Sequence, residues 1–123
     1  MKLFLSKWIV ASIGMAACLQ VLAGSVVIEN VQVASRGAEQ YNFSVTLRHD
    51  DTGWDHYANA WDVIDMQGNV LGERVLHHPH VNEQPFTRSQ VIHIPDGTSA
   101  VEVRAYDLVH GRSEQTYKVD LPE

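Results

Sequence analysis

From residue 25 onward the chain alternates apolar and polar side chains in short runs, the period-two signature of strands with one buried and one wet face. The clearest run sets Tyr41, Phe43, Val45 and Leu47 against Asn42, Ser44, Thr46 and Arg48. An earlier strand is predicted from about Ser25 to Val33. There the apolar parity switches between Val26/Ile28 and Val31/Val33, so a kink or bulge is expected near Glu29-Asn30. A third strand from about Tyr57 to Met66 points Trp61 and Val63 inward. Gln67-Gly68-Asn69 then turns it into a fourth, Val70 to Leu76. A fifth strand is predicted near Gln90 to Ile94, ending at the Pro95-Asp96-Gly97 turn. The sixth buries Val101, Val103 and Ala105, and the seventh buries Tyr117, Val119 and Leu121. No stretch carries convincing helical periodicity, and the sequence holds no internal repeat.

Seven short strands with an inward tryptophan on the third resemble the immunoglobulin and fibronectin type III class. The fold class expected is therefore all-β, a seven-stranded antiparallel β-sandwich. The cysteine pair of antibody domains is missing, because the single cysteine, Cys18, precedes the first strand.

Ahead of the strands, Lys2 and Lys7 lead into a mostly apolar run from Trp8 to Leu19 and then Val21-Leu22-Ala23, the layout of a secretory signal cleaved after Ala23. The expected organisation is a signal peptide over 1–23 and one sandwich domain over 24–123. The apolar run is short for a span of about 20 residues, and no later segment approaches that length, so no membrane span is expected in the mature chain. Periplasmic or secreted localisation follows. Met15-Ala16-Ala17-Cys18 loosely resembles a lipobox and gives the alternative of a lipoprotein anchored at Cys18.

Charge narrows the functional classes. All fifteen acidic residues lie after residue 23, against seven basic ones once Lys2 and Lys7 are removed, a net charge near −8. Binding to a phosphate backbone needs basic patches, so nucleic acid is not an expected partner.

All seven histidines lie in the mature part: His49, His56, His77, His78, His80, His93 and His110. In an up-and-down sandwich the connections after the second, fourth and sixth strands emerge at the same end. Those connections carry Asp55-His56, then His77-His78-Pro79-His80 with Glu83, then Asp107 with His110. A zinc or copper(II) ion needs three or four nitrogen or oxygen ligands, and neutral imidazole is a favoured donor. Proline keeps His78-Pro79-His80 extended, so its two imidazoles can project to one side. The predicted metal ligands are His56, His78, His80 and His110, with Asp55, Glu83 or Asp107 as a carboxylate ligand or as an acceptor fixing an imidazole tautomer. His49 continues the inward parity of Leu47 and also reads as a buried strand-end residue held by a hydrogen bond. His93 reads as a packed or surface histidine.

Two further features have paired readings. Trp54 and Tyr57 can line a ligand groove, or a tryptophan can cover the open end of the sandwich. The polar tract Asn82 to Ser89 is predicted to be irregular and suits recognition, while Phe86 can pin it to the core and Arg88 can pair with Glu83.

The tracts GWDHYANAWDV, HPHVNEQPFTRS and VHG resemble those of an uncharacterised family of small exported bacterial proteins, which implies an envelope location and no particular activity. By architecture the chain also resembles periplasmic copper-binding sandwiches of the copper-resistance type. Those begin with a histidine where this chain would begin with Gly24, so their site does not carry over. The functional expectation is a periplasmic divalent-metal-binding protein for copper(II) or zinc. Its alternative is a non-catalytic protein- or glycan-binding accessory domain with an envelope protein partner. Neither Ser89 nor Ser113 has a nucleophile context, and no enzymatic activity is expected.

Overall fold

A computed structural model describes residues 24–122, and the predicted signal peptide lies outside them. Seven strands follow one another: β1 Val27–Gly37, β2 Gln40–Arg48, β3 Ala58–Asp65, β4 Val70–Val75, β5 Phe86–His93, β6 Ala100–Asp107 and β7 Gly111–Asp120. They form two antiparallel sheets, ordered β1-β2-β5 and β4-β3-β6-β7. This is the β-sandwich expected from the alternation. Among the described residues no helix is long and apolar enough to cross a membrane.

The core lies where the parity put it. Phe43, Val45 and Leu47 of β2 face Trp61 and Val63 of β3 and Val101, Val103 and Ala105 of β6, all fully buried. Burying a side chain such as Leu47 or Phe43 contributes about 1.5–3 kcal/mol, so these few positions supply much of the favourable free energy of folding. On the opposite face of the three-stranded sheet, hydroxyl pairs take over: Ser44 with Ser89 and Thr46 with Thr87, each at 2.8 Å. The parity switch in β1 is a register shift between Ile28 and Asn30, the predicted kink. It leaves Glu29 outward, where it pairs with Arg48.

Three expectations need correction. β5 starts at Phe86, so the second half of the tract predicted to be irregular is paired strand, with Thr87 opposite Thr46 and Arg88 opposite Val45. Thr87 and Ser89 face outward, while Phe86 is buried and Arg88, on the same side as Phe86, is half-buried, a two-sided pattern hidden by Pro85 and the charge of Arg88. β7 begins at Gly111, so the connection after β6 is a tight turn rather than a loop reaching Ser113. Finally, β3 is buried on both faces. Asp62, beside inward-facing Trp61, is 4 % exposed and receives two hydrogen bonds from Arg104 and one from Tyr106.

Candidate metal centre

The connections after β2, β4 and β6 meet at one end of the sandwich. Asp51, three residues beyond β2, accepts the backbone N–H of His80 at 2.7 Å from the next connection. Gln84 spans the same two segments: its Oε1 accepts from the His49 backbone N–H at 2.9 Å, and its Nε2 donates to the His80 carbonyl at 3.0 Å. The backbone N–H of Leu108 donates to Tyr57 at 3.0 Å and draws in the third connection.

Asp107 is the focus. Its Oδ1 accepts backbone N–H groups from Val109, at 2.9 Å, and from His110, which closes the β6–β7 turn. Its Oδ2 faces three imidazole nitrogens: His110 Nδ1 at 3.0 Å, His49 Nε2 at 3.2 Å and His56 Nε2 at 3.5 Å. Burial pushes the Asp107 carboxyl up, but the hydrogen bonds from the His110 backbone and the His110 ring, with the His56 ring close by, outweigh it and leave the group below the usual carboxylate range.

His49 continues the inward parity of β2 past its last residue and is buried at the centre of the cluster. Its Nδ1 lies 2.5 Å from Asp51 Oδ1, while its Nε2 faces the Gly24 carbonyl oxygen at 2.7 Å as well as Asp107. Three oxygens thus surround two ring nitrogens, and a neutral imidazole has a single N–H to give. With that proton on Nδ1 and donated to Asp51, the Nε2 lone pair points at two oxygens. The contacts therefore offer more acceptors than the neutral ring has protons, and a cation at Nε2 is one way to satisfy them. His56, whose ring packs edge-on against His49 with centroids 4.8 Å apart, is short of a contact as well. Its buried Nε2 has no hydrogen-bond partner among the described residues.

One ligand atom each from His49, His56 and Asp107 lies within 4.8 Å of the others. Ligands placed about 2.0–2.2 Å from a tetrahedral zinc stand roughly 3.3–3.6 Å apart, so the two imidazole-to-Asp107 separations already approximate a coordination shell. The three residues can hold a divalent ion, with Asp51 orienting His49 from behind as carboxylates do at histidine-ligated metals.

Of the residues singled out in the sequence, His56, Asp107 and His110 belong to this cluster. His78, His80 and Glu83 form a neighbouring group around Arg88. Its guanidinium lies 2.9 Å from His80 Nε2 and 3.1 Å from Glu83, and the His80 ring stacks on Phe86 with centroids 4.0 Å apart. His78 packs beside His80, with 4.7 Å between centroids. Burial, with Arg88 and His78 adding to it, holds the His80 imidazole below its ordinary value. Asp55 sits exposed in the Gly53–His56 turn. His93 is exposed and pairs with Glu39. Trp54 is 65 % exposed rather than covering the end of the core. It leans edge-on against Tyr57 and lines a shallow groove with His78, Pro79 and Glu83.

His49 and Asp51 were not among the predicted ligands or their supports. The continuing parity of β2 was the available signal for His49, and no local pattern marked Asp51.

The chain is similar to a protein described as "Putative lipoprotein" from Halomicrobium mukohataei, with 45% identity over 93 residues, 76% of this chain and 46% of that protein. It is also similar to a siroheme decarboxylase beta subunit of Desulfovibrio desulfuricans, with 32% identity over 73 residues, 58% of this chain and 42% of that subunit. The chain thus spans a little under half the length of the curated relatives it matches. No protein-family description and no solved structure matches it.

Proposed function

We propose that this chain is an exported envelope protein whose sandwich binds one divalent transition-metal ion, copper(II) or zinc, through His49, His56 and Asp107, with His110 beside them. The observation that carries the reading is the convergence of imidazole nitrogens on Asp107 Oδ2, one of them a buried nitrogen with no other partner. Imidazole and carboxylate donors without thiolate suit copper(II) and zinc better than copper(I). The lipoprotein relative supports an envelope location, reached by cleavage after Ala23 or by lipid attachment at Cys18. The strand order β1-β2-β5 against β4-β3-β6-β7 supports the fibronectin type III reading of the sandwich.

Elemental analysis of untagged protein recovered from the envelope tests the proposal. About one equivalent of copper or zinc per chain is expected, and metal-free protein that also takes up neither ion in solution would contradict it.

A second reading has its own observation. Trp54 stands exposed at the rim of the groove that His78, Pro79 and Glu83 continue, a surface suited to a protein or glycan partner. Loss of partner binding in Trp54→Ala with metal content unchanged is the result that would favour it.

A further inference from the structure

We infer that the α-amino group of Gly24, freed when the leader is cut after Ala23, is a ligand of this metal, so that export completes the site. The inference rests on the metal-binding reading above and adds to it a donor that no side chain supplies.

Gly24 is built into the cluster. Its carbonyl oxygen is 2.7 Å from His49 Nε2. A methyl group on its Cα would stand 2.8 Å from His110 Cε1 and 3.5 Å from both His110 Nε2 and His56 Cε1. The bare backbone of this residue therefore fills the space between three imidazole edges, and any side chain there would displace His110. Standard bond lengths keep a residue's nitrogen within about 3.7 Å of its own carbonyl oxygen, so the Gly24 nitrogen belongs to the same neighbourhood.

What that nitrogen can do depends on processing. Inside an intact chain it is an amide whose lone pair is delocalised into the preceding carbonyl, and it is a poor donor to a metal. Once the peptide bond to Ala23 is hydrolysed it becomes a primary amine, with a pKa of about 7.7–8.0 when free, and its neutral form is a good nitrogen ligand for copper(II) or zinc. With the carbonyl oxygen of the same residue it can close a five-membered chelate ring. The small residues at the cleavage point, Ala23 and Gly24, meet both requirements: the first suits the peptidase, and the second leaves room for His110.

The test uses the whole chain expressed with its own leader. Processed protein is recovered from the envelope, its start fixed by intact mass, and its copper(II) affinity and electron paramagnetic resonance spectrum are measured. The comparison is a chain with Gly-Ser inserted between Ala23 and Gly24, which carries the amine two residues away; an unfolding curve without metal checks that its fold is intact. The expected result is a start at Gly24, one copper(II) per chain, and in the insertion variant an affinity loss of about tenfold or more with one nitrogen coupling fewer. Equal affinity and an unchanged spectrum in the variant would overturn the role of the amine and leave the imidazole and carboxylate site standing. A chain that starts at Cys18 with a lipid, or anywhere other than Gly24, would overturn it as well. Failure of the wild type to bind copper(II) or zinc would remove the metal reading and this inference together.

Discussion

Asp51 does the most to hold the site together. Its Oδ1 serves His49 Nδ1 and the Ala58 N–H, and its Oδ2 serves the His80 N–H. Asp51→Ala would strand two buried backbone donors and release the His49 tautomer. A loss of about 2–4 kcal/mol of stability is expected from urea unfolding of the metal-free protein, since each stranded donor costs roughly 1–3 kcal/mol. A variant as stable as wild type would contradict this account of the residue. Asp51 was illegible in the sequence because nothing in Arg48-His49-Asp50-Asp51 says which of two adjacent aspartates turns inward. His49 was partly legible: Phe43, Val45 and Leu47 fix a parity that it extends. What periodicity cannot supply is the depth of that position and the company of Asp107, 58 residues further on.

At the level of the strands, alternation predicted most of the sandwich because one face of each strand packs on a single core and the other meets water. It failed where a strand is buried on both sides. Asp62 sits in β3 directly opposite Arg104 of β6, and the pair is mostly shielded, with side-chain exposures of 6 % and 14 %. Hydrogen bonding to Asp62, against the cost of burial, raises the Arg104 guanidinium further above its ordinary value. Removing one partner leaves a buried charge with a single remaining donor, the Tyr106 hydroxyl. Arg104→Ala is therefore expected to destabilise the protein by about 3–5 kcal/mol, read from the urea midpoint, whereas a double Asp62→Leu, Arg104→Met replacement recovers most of the loss. A double variant no more stable than Arg104→Ala would show that the site demands charge rather than satisfied packing. The start of β5 was missed for a related reason: Thr87 and Ser89 pair through hydroxyls with β2, so the outward face of that strand carries no apolar rhythm to read.

For the molecule as a whole, charge makes stability depend on pH in a direction the site fixes. His80 is held below its ordinary value by burial first, then by Arg88 and His78, with Glu83 and Asp51 opposing. Below about pH 6.5 the unfolded chain therefore takes up a proton that the folded chain refuses, and stability falls as pH drops toward the lowered native value. Asp107, depressed in the folded state, adds a second loss as pH falls on through the carboxylate range. Urea midpoints of the metal-free protein should be lower at pH 5 than at pH 7.5, and His80→Gln should flatten the upper part of that slope. A wild-type midpoint unchanged between the two would contradict the assignment. The same end of the molecule bears exposed Trp54, Val81, Leu108 and Val109 around the histidines, and the curated relatives are about twice as long as the matched segment. The central claim concerns the cluster itself and is tested most directly by calorimetric titration of zinc and copper(II) into the processed chain and into His56→Ala. His56 has a free ring nitrogen and a partly exposed side chain, so its loss should leave the urea midpoint nearly unchanged while weakening metal binding about tenfold or more. Binding to wild type at one ion per chain, about tenfold or more weaker in His56→Ala, is the predicted result; equal affinities in the two proteins, or no binding to either, would contradict it.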